Sequence, residues 1–125
     1  MKIKNFAPIV LRLGLAIVFL WFGLSELMHT AMWTSYIPTW LISLTGLKVA
    51  TLVALNGLFE VVMALMLAFG IWTRWVALLV LIHLIGIVAD VGLSAVGIRD
   101  VGLAFGLLSV VLQGNDTGTL HAPIL

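Results

Sequence analysis

The chain has 125 residues, of which 63% are hydrophobic and only 9% are charged, and its formal net charge is +1. Soluble domains are nearer to half apolar and a quarter charged, so lipid is expected to solvate much of this chain. Its Lys and Arg residues are scattered singly, which argues against a nucleic-acid partner, and the absence of cysteine excludes disulfides, thiol chemistry and iron–sulfur clusters held by thiolates.

Four apolar segments predict an all-α protein. The expected helices cover residues 8–28, 49–69, 74–90 and 100–113. The first three approach the ~20 residues that cross a ~30 Å hydrocarbon core, while the last is shorter. Strands are a poor alternative, because no segment alternates with period two and a membrane barrel needs many more residues. Short connections therefore predict an antiparallel four-helix bundle, integral to the membrane, as a single domain over residues 1–125.

Local signals mark the ends of these helices. Pro8 stands at a first-turn position that tolerates proline, and Gly70-Ile71-Trp72-Thr73 predicts a tight turn. Asp100 is the expected N-cap of the last helix, and Gly114 is its expected C-cap. A secretory signal peptide is the alternative for the first segment, but no A-x-A-type cleavage site follows it.

The one long connection, residues 29–48, differs in composition from the helices. It holds Trp33, Tyr36, Pro38 and Trp40 and almost no charge. Trp and Tyr favour the headgroup region of a bilayer. The connection is therefore predicted to lie on the membrane surface, as a loop or a short amphipathic helix, and not to cross the membrane.

The positions of Lys and Arg predict the orientation. The side that holds both termini carries Lys2, Lys4 and Arg74, with Arg12 one turn inside the first helix, and the other side carries Lys48 and Arg99. Three or four basic residues against two favour cytoplasmic N- and C-termini by the positive-inside rule. The guanidinium of Arg12 is expected to extend to the inner headgroups.

Two ionisable residues fall near the middle of the bilayer. Glu60 lies eleven residues past Val49, roughly 16 Å along a helix, and His83 lies nine residues past Arg74, roughly 14 Å. Charge at a helix centre costs about 2.5–3.5 kcal/mol, so both are expected to face the bundle interior. Asn56 is one helical turn from Glu60 on the same face. Asn56, Glu60 and His83 are predicted to form one polar cluster, either a ligand or proton site or an interhelical hydrogen bond.

A second polar cluster is predicted at the outer rim, where the helix ends contribute charged and titratable groups. Its members are Glu26, His29, Asp90, Arg99 and Asp100. These groups either form salt bridges that close the rim or line a pocket open to the outer leaflet. A short last helix would pull its N-terminus toward hydrocarbon, so Arg99 is predicted to form a salt bridge with Asp90 or Glu26.

The available ligands narrow the choice of cofactor. A bis-histidine haem needs two His at one depth, and only His83 is near the midplane, so no haem is expected. The midplane cluster lacks the spacing of a paired Glu-x-x-His site, so no metal is expected either. A quinone fits better, because its head needs one or two polar groups at a depth that its tail can reach. Met63, Met66 and Phe105 are expected to surround such a head.

Short motifs occur along nearly the whole chain. They are Val10-Leu11-Arg12-Leu13-Gly14, Phe22-Gly23-Leu24, Asn56-Gly57-Leu58-Phe59-Glu60, Gly70-Ile71-Trp72-Thr73-Arg74 and Arg99-Asp100-Val101-Gly102-Leu103. In this order and spacing they resemble the motifs of the DoxX family. One position departs from the family, since many members carry Lys where this chain has Glu26. A role of that basic residue therefore does not transfer to this chain.

The resemblance implies a small four-helix protein of the bacterial or archaeal cytoplasmic membrane. Some members of the family are subunits of thiosulfate:quinone oxidoreductase, and others associate with redox-stress proteins. By that resemblance the chain would contact lipid, quinone and a membrane or peripheral redox protein, with a homo-oligomer also open. Having no cysteine, it is not expected to be catalytic alone.

Two classes of function stay open at this point. The first is a redox-linked membrane subunit that binds quinone near the midplane cluster. The second is a non-catalytic scaffold or assembly subunit, whose polar residues only hold helices together. A solute or proton carrier is disfavoured, because no segment has the interrupted helix typical of transporter sites.

Overall fold

The computed structural model describes residues 3–91 and 95–113, and of residues 4, 87–91, 95 and 96 it describes the backbone alone. The α-helices are α1 Ala7–Met28, α2 Thr39–Thr45, α3 Val49–Phe69, α4 Thr73–Val91 and α5 Ala95–Gln113, and 3-10 helices cover Ile3–Phe6 and Thr30–Tyr36. The described part of the chain is all-helical, without a strand, as predicted. The predicted C-cap at Gly114 lies outside the described residues.

Three of the long helices begin and end within one residue of their predicted bounds, and the last does not. Helix α5 begins at Ala95, so the prediction that Asp100 caps its N-terminus is wrong. The residues before Asp100 include Ala95 and the apolar Ile98, which extend the helix, and the intervening Gly97 does not stop it. At 19 residues, α5 is roughly 28 Å long, so it is not the short helix that the sequence suggested.

The turn between α3 and α4 follows from its glycine. Gly70 ends α3 in the left-handed region at φ 72°, where glycine has no Cβ penalty. Its N–H donates to the carbonyl of Leu67, and the N–H of Ile71 donates to that of Met66, the pair of bonds that defines a Schellman cap. Trp72 is also left-handed, at φ 44°, so this short turn is conformationally strained.

Helices α1 and α3 pack against each other along matching stripes of buried residues. The stripe on α1 includes Arg12, Ala16, Phe19, Gly23 and Glu26, and the stripe on α3 includes Val53, Gly57, Glu60, Ala64 and Leu67. Both stripes repeat with spacings of four and three residues, the pattern of helices that cross at a small angle. Small residues allow the closest approach, because a Cβ on Gly57 would lie 2.8 Å from the carbonyl oxygen of Gly23.

Helices α4 and α5 form the second pair, and the two pairs meet through α1 with α5 and through α3 with α4. An apolar cluster drawn from all four long helices fills one end of the interior, and it includes Leu15, Ala64, Leu67, Val80 and Leu107. This end, the core half of the bundle, lies nearer the turn between α3 and α4.

Arg12 lies on the buried stripe of α1, with only 3% of its surface exposed. The expectation that its guanidinium extends to headgroups is therefore wrong. The reason is its register, since Arg12 precedes the buried Leu15, Ala16 and Phe19 by three, four and seven residues, which places all four on one face of the helix.

In the part of the chain that the structure describes, α1 and α3 are long and apolar enough to cross a membrane, and a shorter apolar stretch covers Thr73–Gly86. Only 28% of the most apolar window of α1 and 33% of that of α3 are buried inside the protein. The core helix of a soluble protein would be mostly buried, so this exposure is typical of helices that cross a membrane. The connection between α1 and α3 consists of the 3-10 helix and α2, each of seven residues and too short to span a bilayer.

Candidate functional site

A cavity of about 340 Å³ lies between the four long helices, at the end opposite the apolar cluster. This end, the cavity half of the bundle, lies nearer residues 30–45. Its polar lining consists of Glu26, Asn56, Glu60, His83, Arg99 and Asp100, and its aromatic lining of Phe19, Phe22, Trp33, Tyr36 and Trp40. The cavity therefore joins two groups of residues that the sequence placed in separate clusters, at the midplane and at the rim.

Two buried carboxyl groups share one amide at the polar side of this cavity. The Nδ2 atom of Asn56 donates to Oε1 of Glu26 at 2.7 Å and to Oε1 of Glu60 at 3.2 Å. The two glutamates are 8% and 6% exposed, so one amide holds buried carboxyl groups from two different helices.

The sequence predicts Glu26 in the rim cluster, but in the structure Glu26 lies close to Glu60, because both bind the same amide. Gly23 faces Gly57 across the two helices. Gly23 lies five residues before the end of α1, whereas Gly57 lies eight residues after the start of α3. Helix α1 therefore ends roughly 4.5 Å deeper than α3 begins. Side chains lean toward the N-terminus of their own helix, so in this antiparallel pair the side chains of Glu26 and Glu60 lean toward each other.

His83 completes the polar side of the cavity from α4. Its Nε2 atom lies 3.8 Å from Oε1 of Glu60, close enough for an ion pair but too long for a hydrogen bond. Its ring packs on Phe59 with 4.9 Å between ring centroids. The predicted cluster of Asn56, Glu60 and His83 thus exists as a group of neighbours, and its role in binding stays a prediction.

Three buried polar atoms of this group have no hydrogen-bond partner among N–H and O–H donors of the described residues. They are Oε2 of Glu26, Oε2 of Glu60 and Nε2 of His83. Native proteins rarely leave such atoms unpaired, because each costs about 1–3 kcal/mol when it is desolvated without a partner. Unpaired polar atoms at the wall of a cavity are where a ligand or a water molecule would bind.

Helix α5 contributes a charged pair on the opposite wall. The Nη2 atom of Arg99 donates to Oδ1 of Asp100 at 3.0 Å, and its guanidinium lies 4.6 Å from the ring centroid of Phe22. The predicted salt bridge of Arg99 to Glu26 is therefore wrong, since Arg99 instead pairs with the residue that follows it. The physical reason is that Arg99 lies inside α5, not ahead of it, and its guanidinium stacks on α1. The side chain of Asp90 lies outside the described residues.

Several residues expected near the site lie elsewhere. His29 is exposed and does not line the cavity. Met63 and Met66 pack against the apolar cluster, and Phe105 is 68% exposed, so the prediction that these three surround a ligand is wrong. Their residue types suit a ligand, but residue type does not indicate which end or face of a helix a side chain occupies.

Aromatic side chains from the connection take the place of those residues. Trp33 donates from Nε1 to Oγ of Ser25 at 3.0 Å, and its ring contacts Phe22 edge-on at 5.7 Å and Tyr36 at 5.5 Å. Trp40 of α2 also lines the cavity. The sequence predicted only that these residues favour the membrane surface, and it gave no indication that they cover a cavity.

The chemistry of this site is that of an apolar slot with a polar wall. Among the side chains that the structure describes, no group of three or more His, Asp or Glu residues is arranged to hold a metal ion. A flat, ring-shaped ligand would contact the aromatic side chains, and its polar substituents would meet the carboxyl and imidazole groups.

The family model of DoxX matches residues 7–93 of this chain, about 70% of its length. The matched part holds Glu26, Asn56, Glu60 and His83, while α5 with its charged pair lies beyond it. No curated protein and no solved structure matches the chain.

Proposed function

This chain belongs to the DoxX family, and we propose that it is a membrane-embedded subunit of quinone-linked redox metabolism that binds the quinone head in its cavity. The observation that carries the proposal is the cavity itself. It combines aromatic walls with the buried polar groups of Glu26, Glu60 and His83, and a carboxyl or imidazole group that carries a proton can donate a hydrogen bond to an oxygen of a planar head.

The membrane part of the proposal is a four-helix bundle formed by α1, α3, α4 and α5. It rests on the apolar, outward-facing surfaces of α1 and α3, and on large apolar side chains exposed on the other two helices, among them Leu79 and Phe105. In water such a surface would aggregate, whereas lipid solvates it. The basic residues near the N-terminus and at Arg74 favour cytoplasmic termini in the cytoplasmic membrane of a bacterium or archaeon.

In this orientation the cavity faces the outer half of the membrane. Trp33, Tyr36 and Trp40 would then lie near the headgroups, and Glu60 and His83 would lie deeper. A quinone would enter from the lipid with its head toward these residues and its isoprenoid tail among lipid chains. Electrons would come from a membrane or peripheral redox protein, because this chain has no cysteine for thiol redox chemistry.

A scaffold or assembly subunit is the second candidate, and one observation favours it. Asn56 bridges Glu26 on α1 and Glu60 on α3, so the same polar group that would bind a ligand also links two helices. Such interhelical hydrogen bonds contribute about 0.6 kcal/mol on average in a membrane protein. A scaffold would retain its partner protein without any quinone in the cavity.

The test is to fill the cavity without touching a polar group. Gly86 lines the cavity, and a Cβ at this position would meet nothing within 4 Å. We expect Gly86→Leu to place a side chain in the space of the ligand. Gly14→Leu is the matched control, because Gly14 is also helical and open but lies outside the cavity.

Quinone is measured by mass spectrometry of a solvent extract of each protein, purified from its own membrane in mild detergent. The wild type and Gly14→Leu should retain quinone, and Gly86→Leu should retain at least about tenfold less. Equal retention by all three proteins would place any bound quinone elsewhere. A wild type that holds its protein partner but no quinone would favour the scaffold.

A further inference from the structure

The cavity is lined by more acidic groups than basic ones. Among the described residues that line it, the acidic side chains are Glu26, Glu60 and Asp100, and the basic ones are Arg99 and His83. The three acidic residues are 8%, 6% and 4% exposed, so all three carboxyl groups are buried. Each basic side chain carries one positive charge at most. Even with a proton on the imidazole, the carboxyl groups would therefore exceed the cations by one.

The guanidinium of Arg99 does not balance the two glutamates. It donates to Oδ1 of Asp100 at 3.0 Å, and 46% of the Arg99 side chain is exposed, so its charge is already paired and lies partly outside the cavity. Among the described basic groups of the cavity, the imidazole of His83 alone is left for Glu26 and Glu60, and one imidazole can balance only one of them. Because a buried charge without a counter-charge is costly, the carboxyl pair must hold a proton or a cation.

Each glutamate keeps an oxygen that can contact such a cation. The amide of Asn56 donates to Oε1 of both glutamates and therefore holds the two carboxyl groups side by side. The Oε2 atom of each is buried and has no hydrogen-bond partner among the described residues, and both residues line the cavity. A positive charge placed here would meet two carboxyl oxygens from two different helices.

The aromatic lining decides the kind of cation. The rings are those of Phe22, Trp33, Tyr36 and Trp40, together with one more phenylalanine. The face of Phe22 already attracts one cation, since the guanidinium of Arg99 lies 4.6 Å from its ring centroid. Aromatic rings grouped in this way recognise organic ammonium ions. An inorganic ion would leave most of the 340 Å³ empty, and no three His, Asp or Glu among the described side chains are arranged around a metal.

From this combination of carboxyl groups and rings, we propose that the cavity binds an organic ammonium ion. Its charged nitrogen lies beside the carboxyl groups of Glu26 and Glu60, and its substituents contact the aromatic side chains. The ion takes the place of a proton: one carboxyl O–H bond breaks, the proton leaves to solvent, and the carboxylate stays paired with the ammonium ion. This inference goes beyond the proposed function, because it needs neither a quinone nor a redox partner.

A charged probe and its uncharged isostere test the proposal. Benzyltrimethylammonium is the probe, and neopentylbenzene replaces its nitrogen by carbon. Binding to the purified full-length protein in an uncharged detergent is measured by calorimetry, with the heat of partition into protein-free micelles subtracted. We expect the cation to bind at least about tenfold more tightly than the isostere, because only the cation is attracted by carboxylates and ring faces.

The same titration reveals the exchange with a proton. A quaternary nitrogen carries no proton, so any proton released on binding comes from the protein. A pH indicator in weakly buffered solution should record the release of up to about one proton for each bound cation. The affinity for the cation should also rise with pH, because protons compete for the same carboxyl groups, whereas the affinity for the isostere should not change.

Substitution then identifies the counter-charge. Glu60→Gln keeps the size of the side chain and removes one carboxyl group, so the affinity for the cation should fall at least about tenfold. The isostere should bind as before, which shows that the variant is folded. His29→Gln is the control, because His29 is exposed and outside the cavity, and it should bind both compounds as the wild type does. The comparison of the two compounds on the wild type stands even if Glu60→Gln does not fold.

The outcomes separate this inference from the proposed function. Absence of cation binding, or equal binding of the cation and its isostere, overturns the inference. Cation binding that neither releases a proton nor depends on pH overturns the exchange, and wild-type affinity of Glu60→Gln for the cation would place the ion elsewhere. None of these results bears on the quinone that the native protein retains, so the proposed function is supported or rejected by its own test.

Discussion

The same four long helices build two halves that differ in what they bury. The core half packs aliphatic side chains such as Leu15 and Val80 against one another, with Leu67 and Leu107 fully buried. The cavity half leaves about 340 Å³ between the helices and buries carboxyl groups instead. The outward side of a lipid-facing helix needs only apolar residues. The two halves therefore differ only in the residues that each helix turns toward the interior. Stability should therefore depend mainly on one half and ligand binding on the other.

The sharpest test of this division is a cavity made in the core half. Leu67→Ala removes a side chain that is 0% exposed and packed within the apolar cluster. We expect the free energy of unfolding to fall by about 2–5 kcal/mol, the usual range for a buried Leu→Ala change. Unfolding by denaturant in detergent measures it, while the affinity of the folded protein for ligand should stay unchanged.

Leu55→Ala is the matched control for that change. Leu55 is on the same helix but is 52% exposed, so the substitution makes no internal cavity and should cost far less. A similar loss in both variants would mean that the core half is not what holds these helices together. A loss of ligand affinity in Leu67→Ala, once folded, would mean that the two halves are coupled.

The second prediction concerns the contact between the halves, where α1 and α3 approach most closely. Gly57→Ala would place a Cβ 2.8 Å from the carbonyl oxygen of Gly23, which is too close for any real contact. The helices must separate, so we expect a loss of about 1–3 kcal/mol in the free energy of unfolding. The same separation moves Glu26 away from Asn56, so ligand binding should weaken as well.

Gly102→Ala is the control, because a Cβ on Gly102 would meet nothing within 4 Å. It should keep both stability and ligand binding. If Gly57→Ala lowers stability but binds ligand as the wild type does, then the position of Glu26 does not depend on this crossing.

Much of the fold was predictable because apolar length and turn residues are local properties. The bounds of α1, α3 and α4 follow from the lengths of the apolar segments and from Gly70. The start of α5 does not, because Asp100 has the side chain of a cap yet lies buried inside the helix, where its partner is Arg99. A residue that can cap a helix does not by itself show where the helix begins, and the residues from Ala95 to Arg99 continue the helix ahead of it.

The polar site was predictable only in part. The rise per residue of a helix predicts that Glu60 and His83 lie at one depth. In the structure, Nε2 of His83 is 3.8 Å from Oε1 of Glu60. The position of Glu26 near the end of α1 predicts the rim, but the offset between α1 and α3 brings this residue beside Asn56. The residues from Arg12 through Gly23 to Glu26 are spaced alternately by four and three positions in the sequence. This spacing alone predicts that Arg12 and Glu26 both lie on the inward stripe of α1.

The smallest expected effect concerns the aromatic side chains that cover the cavity. Ser25→Ala removes the acceptor for the indole N–H of Trp33, a hydrogen bond of 3.0 Å that joins the connection to α1. One such bond contributes about 0.5–1.5 kcal/mol. Trp33 keeps its contacts with Phe22 and Tyr36, so the loss should be local and should leave the free energy of global unfolding nearly unchanged.

Hydrogen exchange measured by mass spectrometry can detect this local loss. We expect faster amide exchange in the 3-10 helix Thr30–Tyr36 and faster release of ligand, because the connection would open more often. Ser109→Ala is the control: Ser109 also accepts a side-chain N–H, from Gln113 at 3.1 Å, but in α5 near the core half. It should leave exchange in the connection at the wild-type rate. Unchanged exchange and ligand release in Ser25→Ala would show that ring packing alone holds Trp33 over the cavity.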